Sequence, residues 1–360
     1  MPEKMESEYR AIGPFIRRYD RDQRPYRLPD WSDPAHFYRW QVKARSHLKR
    51  RLGPWPPRTS LKPRLISRSK HPGYVHELVD YIGAPGDRIP AHLLLPDAQE
   101  ARPAVIAVHG HGYGADDVVG IREDGSRRQE PETYHRDFGL ALCRLGFVVI
   151  APEMAGFGRR REMAAITDSR SASSCKDLFI WSLMMGSSPL AVRLWDVMRT
   201  VDYLATRPEV SPERIGIMGI SGGGMVTLFS AALDQRLSAI CISGYLNTFR
   251  SSVLSIEHCI CNYAHGLLAD AEMADYAATI APRWLCVESG IQDPIFPIDA
   301  TRKTAEILAT LYQKLGRDDR FSTEFFDDVH RISGRVAYPF LTQALGLKSG
   351  LAPSSHPRSG

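Results

Sequence analysis

The pattern of apolar positions changes character near residue 103. From there, short continuous apolar runs alternate with stretches of helical periodicity. The runs are 104–109 (AVIAVH), 147–152 (FVVIAP), 214–218 (RIGIM), 238–243 (SAICIS), 283–288 (RWLCVE) and 321–326 (FSTEFF). A strand that is apolar on both faces suits a parallel sheet with helices on each side. The stretches at about 134–145, 189–206, 223–234, 298–315 and 334–345 predict those helices. This alternation is that of a doubly wound α/β domain with a mostly parallel sheet. Upstream, 75–82 (VHELVDYI) and 88–95 (RIPAHLLL) flank the turn signal Gly83-Ala84-Pro85-Gly86 and predict an antiparallel hairpin at a sheet edge.

Residues 1–33 are polar, with scattered Pro and Arg, and predict little regular structure. Residues 34–51 read as a helix, with Asp33 as N-cap, Pro34 in the first turn, and Phe37, Trp40 and Val42 as a narrow apolar face. Residues 53–64 are Pro-rich and read as a surface linker. The expected organisation is therefore a basic arm over 1–70, an α/β domain over 71–348 and a polar tail over 349–360. Two connections, 155–188 and 246–281, exceed ordinary loop lengths. They are expected to wall or cap a pocket beyond the carboxyl ends of the strands.

Composition changes this picture little. A chain of 360 residues, 43% hydrophobic and 24% charged, can bury one large core. The net charge of +5 is uneven: residues 1–70 balance at +11 and the rest at −6. The arm is expected to pack on its own, oppositely charged domain, and it is also a plausible contact element for a homo-oligomer. No interleaving of aromatic and basic residues marks a nucleic-acid module, so no such partner is expected. Of six cysteines, Cys143, Cys241 and Cys286 sit in apolar runs and read as small buried hydrophobes; no disulfide framework is evident. The start, MPEKMESEYR, lacks the apolar core of a signal peptide, and no run approaches the ~18 apolar residues of a membrane span. A reducing, cytoplasmic setting without membrane association is the expectation.

Chemistry enters at residues 219–223, Gly-Ile-Ser-Gly-Gly, a G-x-S-x-G match placed where a strand ends and a helix begins. A nucleophile at that tight turn takes an unfavourable backbone conformation, and the residues two before and two after it crowd together. Gly219 and Gly223 have no Cβ to clash. Ser221 would then project at the positive end of the next helix. Hydrolysis of an ester puts charge on the former carbonyl oxygen, which two backbone N–H groups usually hold. One is expected from Gly222. The other is expected from His111, in the His109-Gly110-His111-Gly112 segment after the strand AVIAV. The base must lie downstream. His330 directly follows the strand FSTEFF in DDVHRISG, whereas His356 lies in the polar tail. Asp293, in SGIQDPIFP with Pro294 and Pro297 stiffening the loop, is the expected orienting acid; Glu288 reads as inside the strand and Asp299 as a helix cap.

The pieces HGHGYG, GISGGG, IQDPIFP and DVHRISG, with EHCICNYAHGLL, resemble the dienelactone-hydrolase-like and acetyl-xylan-esterase-like branch of the α/β hydrolases, over roughly residues 75–345. The resemblance implies a Ser221–Asp293–His330 triad that cleaves small acyl esters without metal or organic cofactor. Dienelactone hydrolases carry Cys where this chain has Ser221, which favours an esterase. Alternatives on the same fold are peptidase or lyase chemistry, or a non-catalytic small-molecule binder.

Substrate-binding candidates are Trp181 and Met184, with Met185, in LFIWSLMMG, for which core packing is the competing reading, and Tyr263 in the second insertion. His258, Cys259, Cys261 and His265 match no common zinc spacing, and the i, i+2 pair His109 and His111 would point opposite ways on an extended segment, so no metal is expected. Arg159, Arg160 and Arg161 read as a solvated loop.

Overall fold

In a computed structural model, residues 11–347 are described except 167, 168 and 170 and the side chains of 164 and 165. The expected tail over 349–360 lies outside the described residues.

Nine strands form one sheet: β1 (Arg64–His71), β2 (Tyr74–Ile82), β3 (Arg88–Pro96), β4 (Arg102–Val108), β5 (Val148–Pro152), β6 (Val210–Ile220), β7 (Leu237–Ser243), β8 (Trp284–Gly290) and β9 (Phe321–Phe326). Their order is β1-β2-β3-β5-β4-β6-β7-β8-β9. The first three are antiparallel, as is the β3–β5 pair, and β4 through β9 run parallel. The chain thus winds one way from β4 to β5 and the other way from β6 onward. The crevice of such a sheet opens at this reversal, beyond the carboxyl ends of β4 and β6.

The larger helices are α1 (Gly13–Asp20), α2 (Pro34–Leu52), α3 (Phe138–Arg144), α4 (Cys175–Met184), α5 (Pro189–Leu204), α6 (Gly222–Leu233), α7 (Ile298–Lys314) and α8 (Ala337–Ala344). They cover both faces and seal two apolar cores, one on each side of the sheet. α5 and α6 are buried almost throughout.

Three elements depart from the sequence expectation. β1 lies in a stretch read as linker and arm. It is exposed along nearly its whole length, including Leu65 and Ile66, so no alternating pattern betrays it. Its Arg64, Arg68 and Lys70 are the charges that protect a sheet edge. α1 falls in a segment expected to be irregular. α3 starts at 138 rather than 134, because Arg136 and Asp137 adopt φ of 54° and 49° and break the helical path. α2 starts on its expected cap, with Asp33 accepting from the Ala35 N–H at 2.9 Å. Its buried face is Phe37, Gln41, Ala44, Leu48 and Leu52, spaced at three or four residues, with Trp40 beside Gln41, and Val42 is exposed.

The arm packs on its own domain. Tyr19 donates to Glu272 at 3.0 Å, Arg51 pairs with Asp270 at 2.6 Å and Gln41 donates to the Thr279 carbonyl at 3.0 Å. Among the described residues, no single helix is long and apolar enough to cross a membrane; only α4 and α5 taken together would pass by composition, and they bend by 97°.

Candidate active site

Ser221 sits between β6 and α6 with φ 59° and ψ −123°. This region disfavours a residue with a Cβ by about 1–3 kcal/mol and persists only where the surroundings enforce it. Here the packing does so. A Cβ on Gly223 would lie 2.1 Å from the Val108 carbonyl oxygen, and one on Gly219 would lie 2.5 Å from that of Gly223. Two glycines therefore let α6 start directly against the end of β4. The Ser221 N–H donates to the Ser243 carbonyl at 3.1 Å, tying the elbow to β7.

His330 lies four residues beyond β9, and its Nδ1 donates to Asp293 Oδ2 at 2.6 Å. The other oxygen, Oδ1, accepts from the N–H groups of Ile295 (2.8 Å) and Phe296 (3.1 Å). Backbone amides, more than the flanking prolines, thus set the carboxylate direction. The imidazole stacks against Tyr134 (5.5 Å) and Phe296 (5.7 Å). It also lies over Gly244, where a Cβ would come within 2.9 Å of its Cε1. With Nδ1 protonated, Nε2 holds a lone pair; that atom is buried and makes no hydrogen bond among the described residues. Ser221 and His330 are not hydrogen-bonded to each other, and such contacts commonly tighten only with substrate.

The loop after β4 lies over the serine: a Cβ on Gly110 would come within 3.1 Å of Ser221 Cβ. A buried network holds it. The Gly110 N–H donates to His135 Nε2 at 2.8 Å, and His135 Nδ1 donates to Asp117 at 2.8 Å. Thr133 at 2.8 Å and Arg128 also donate to that carboxylate. Tyr134 donates its hydroxyl to the His111 carbonyl at 2.6 Å. Burial pushes the pKa of His109 down to about 3, so its ring is neutral. His109 donates to the Gly110 carbonyl at 2.8 Å and accepts from the Met154 N–H at 3.1 Å. The backbone N–H groups of His111 and Gly222 make no hydrogen bond among the described residues.

The sequence reading missed four residues around this site. Tyr134 and His135 were hidden inside an expected helix. Glu288 does lie within β8, but its carboxylate accepts from the N–H groups of Ser333 (3.3 Å) and Gly334 (3.0 Å), and so anchors the loop that carries His330. Burial pushes its pKa up to about 7. His258 packs on Phe296 at 5.7 Å with a buried, unpartnered Nε2. Burial lowers its pKa, and it shares the Phe296 ring with His330. No motif carries Tyr134, His135 or Glu288, and His258 stood only within the EHCICNYAHGLL piece, with no role assigned to it.

The structure places the other candidates as follows. Trp181 and Met184 are 73% and 79% exposed, and Met185 is exposed beside them. They do not pack in the core. α4 is apolar all round, so periodicity does not choose its inner face, and its buried residues are Cys175 and Ser182. Tyr263 donates to the Val253 carbonyl at 3.3 Å and lines a groove of about 610 Å³ between α1 and the second insertion, whose lining does not include Ser221, Asp293 or His330. The arginines are not simply solvated: Arg160 is buried between Asp196 (2.6 Å) and Asp87 (2.5 Å), and Arg159 pairs with Asp116 at 2.9 Å. The segment 258–265 contains a short 3₁₀ turn at Ile260–Asn262. His111, Cys175, Cys259 and Cys261 converge there.

Comparison with known proteins places this geometry. The chain is 25% identical over 286 residues to YtaP of Bacillus subtilis (strain 168), a hydrolase by name, covering 78% of this chain and 90% of that protein. Its fold is similar to that of a Bacteroides fragilis protein named as an acetyl xylan esterase, with TM-score 0.75, 16% identity and coverage of 94% and 90% of the two chains. It is also similar to the glucuronoyl esterase from Solibacter usitatus, with TM-score 0.60, 15% identity and coverage of 85% and 92%. These likenesses show the α/β-hydrolase fold and are in line with the acetyl-xylan-esterase-like resemblance. Residues 19–308, most of the chain, match one family model, and this protein belongs to the Abhydrolase family.

Proposed function

We propose that this protein is a serine carboxylic-ester hydrolase acting through an acyl-enzyme on small acyl esters. The observation that carries the reading is the 2.6 Å Asp293–His330 hydrogen bond, with a free His330 Nε2, at the strand end next to a serine held at φ 59°. His330 Nε2 takes the Ser221 proton as Oγ attacks the ester carbonyl. The imidazolium that forms is stabilised by Asp293. The N–H groups of His111 and Gly222 receive the oxyanion at the positive end of α6. His330 then returns the proton to the leaving alcohol. Water deacylates the enzyme by the same route. The names of the structural neighbours, an acetyl xylan esterase and glucuronoyl esterases, support ester chemistry over peptide or lyase chemistry.

The test is hydrolysis of p-nitrophenyl acetate, butyrate and octanoate by wild type and Ser221→Ala. Turnover of the acetyl ester that vanishes in the variant is the expected result, with activity falling as the acyl chain lengthens. Equal slow rates in both proteins refute the serine-esterase reading. Acetylated xylan against a methyl ester of glucuronic acid then separates an acetyl ester from a uronic ester as the natural class.

A further inference from the structure

We propose that His111, Cys175, Cys259 and Cys261 form a closed, four-ligand zinc site that fastens the loop over Ser221 to both insertions. The four ligand atoms lie within 4.8 Å of one another. Cys261 Sγ is 3.4 Å from Cys259 Sγ and 3.4 Å from His111 Nε2. A tetrahedral ion with bonds of about 2.3 Å to sulfur and about 2.0 Å to nitrogen sets its ligands roughly 3.5–3.8 Å apart, so small side-chain adjustments complete the shell. Three thiolates and one imidazole are a familiar structural zinc set. The sequence conceals it, because the ligands come from three separate places: the loop after β4, the first residue of α4, and the 3₁₀ turn of the second insertion.

A second observation points the same way. Arg193 on α5 is 2% exposed and forms no ion pair with a carboxylate among the described residues. Its Nε donates to the Ala155 carbonyl at 3.1 Å, its Nη2 to Cys175 Sγ at 3.3 Å, and its guanidinium lies 4.8 Å from the Phe157 ring. A buried cation needs a compensating charge. Four neutral ligands supply none. Binding Zn(II) to His111 Nε2 and the three thiols releases three protons to solvent and leaves a complex with a single net negative charge beside Arg193.

The site also explains how the oxyanion loop is braced on the side away from His135. His111 Nδ1 lies 3.1 Å from where a Cβ on Gly222 would be. With Nε2 on the metal, Nδ1 carries the proton and turns an N–H, not a lone pair, toward the Gly222 side. That last role rests on the esterase reading, but metal binding does not.

The test is elemental analysis of the full chain, purified under reducing conditions after growth with zinc, beside Cys261→Ser, Cys175→Ser and Ser221→Ala. Stoichiometric zinc in wild type and Ser221→Ala, and its loss in both cysteine variants, is expected. Cobalt(II) exchanged into wild type should show the visible bands of tetrahedral coordination and a thiolate-to-metal charge-transfer band. Zinc-free wild type that also fails to take up zinc or cobalt overturns the proposal. So does zinc retained by both cysteine variants, or, in a parallel preparation made without reductant and denatured before thiol titration, one oxidised cysteine pair and no metal. Because these readouts need no turnover, zinc binding in a protein inactive on esters would sink the esterase reading alone, and an active, zinc-free esterase would sink the metal site alone.

Discussion

Replacing Glu288 by Gln should remove a pH dependence of stability that can be sized from the structure. Glu288 is fully buried at the end of β8, and its ordinary carboxyl pKa of 4.5 is pushed up to about 7, first by burial. The N–H groups of Ser333 and Gly334 oppose that shift only in part. The folded-state pKa therefore lies above the unfolded one. Between pH 4.5 and 7 the native protein keeps a proton that the unfolded chain has released. Stability falls with rising pH wherever the unfolded state binds fewer protons. The contribution is complete below the unfolded pKa and is lost as pH passes through the folded one. At about 1.4 kcal/mol per unit, the loss across this window is roughly 3 kcal/mol. Gln removes the titration and keeps one acceptor oxygen; its NH2 faces one of the two N–H groups, a pH-independent cost that offsets the two curves without changing the pH dependence of their difference. Asp137, Asp196 and other buried acids have raised pKa values too, so the wild-type curve alone is not diagnostic. The wild-type-minus-Gln difference isolates Glu288. Urea midpoints for both proteins at pH 5, 6, 7 and 8 should show that difference falling by roughly 3 kcal/mol between the ends. Parallel curves would refute the assignment of a protonated, buried carboxyl behind the His330 loop.

Asp293→Asn should leave the fold intact and lower kcat about 10⁴-fold, because an amide cannot hold His330 in the Nδ1-protonated form; a loss under tenfold in ester turnover would remove Asp293 from the role. Tyr134→Phe deletes the 2.6 Å bond to the His111 carbonyl. It should lower kcat about five- to tenfold with KM little changed, about 1 kcal/mol of oxyanion-loop positioning; a pure KM effect in steady-state kinetics would contradict that. Gly223→Ala puts a methyl group 2.1 Å from the Val108 carbonyl. Thermal melts should show about 3 kcal/mol of destabilisation or failure to fold, and an unchanged melting temperature would mean the elbow is less tight than described.

How legible the site was depends on how local each signal is. The elbow was readable because it is a contest over a few ångströms between neighbours in sequence: Gly219 and Gly223 have a chemical reason to stand two residues either side of Ser221. That His330 and Asp293 could meet was readable from their places after successive buried strands, and the two are hydrogen-bonded. The reading failed where side-chain direction depends on distant packing. Tyr134 and His135 looked helical, yet the site takes them both, and the positive φ of Arg136 and Asp137 delays the helix. Trp181 and Met184 looked like pocket or core, but α4 is apolar on every side, and only contact with the rest of the domain decides which side is covered.

From the sequence alone came the alternation that makes a parallel sheet with helices on both faces, and Ser221, Asp293 and His330 as candidates beyond the ends of its strands. Those follow from backbone constraints and burial periodicity acting over a handful of residues. The tertiary structure alone decided that β1 extends the sheet edge, that Glu288 holds the histidine loop, and that His111 meets three cysteines 64, 148 and 150 residues further along the chain. No local pattern marks such a meeting, because it depends on the paths of two long insertions, which are set by packing against the whole domain.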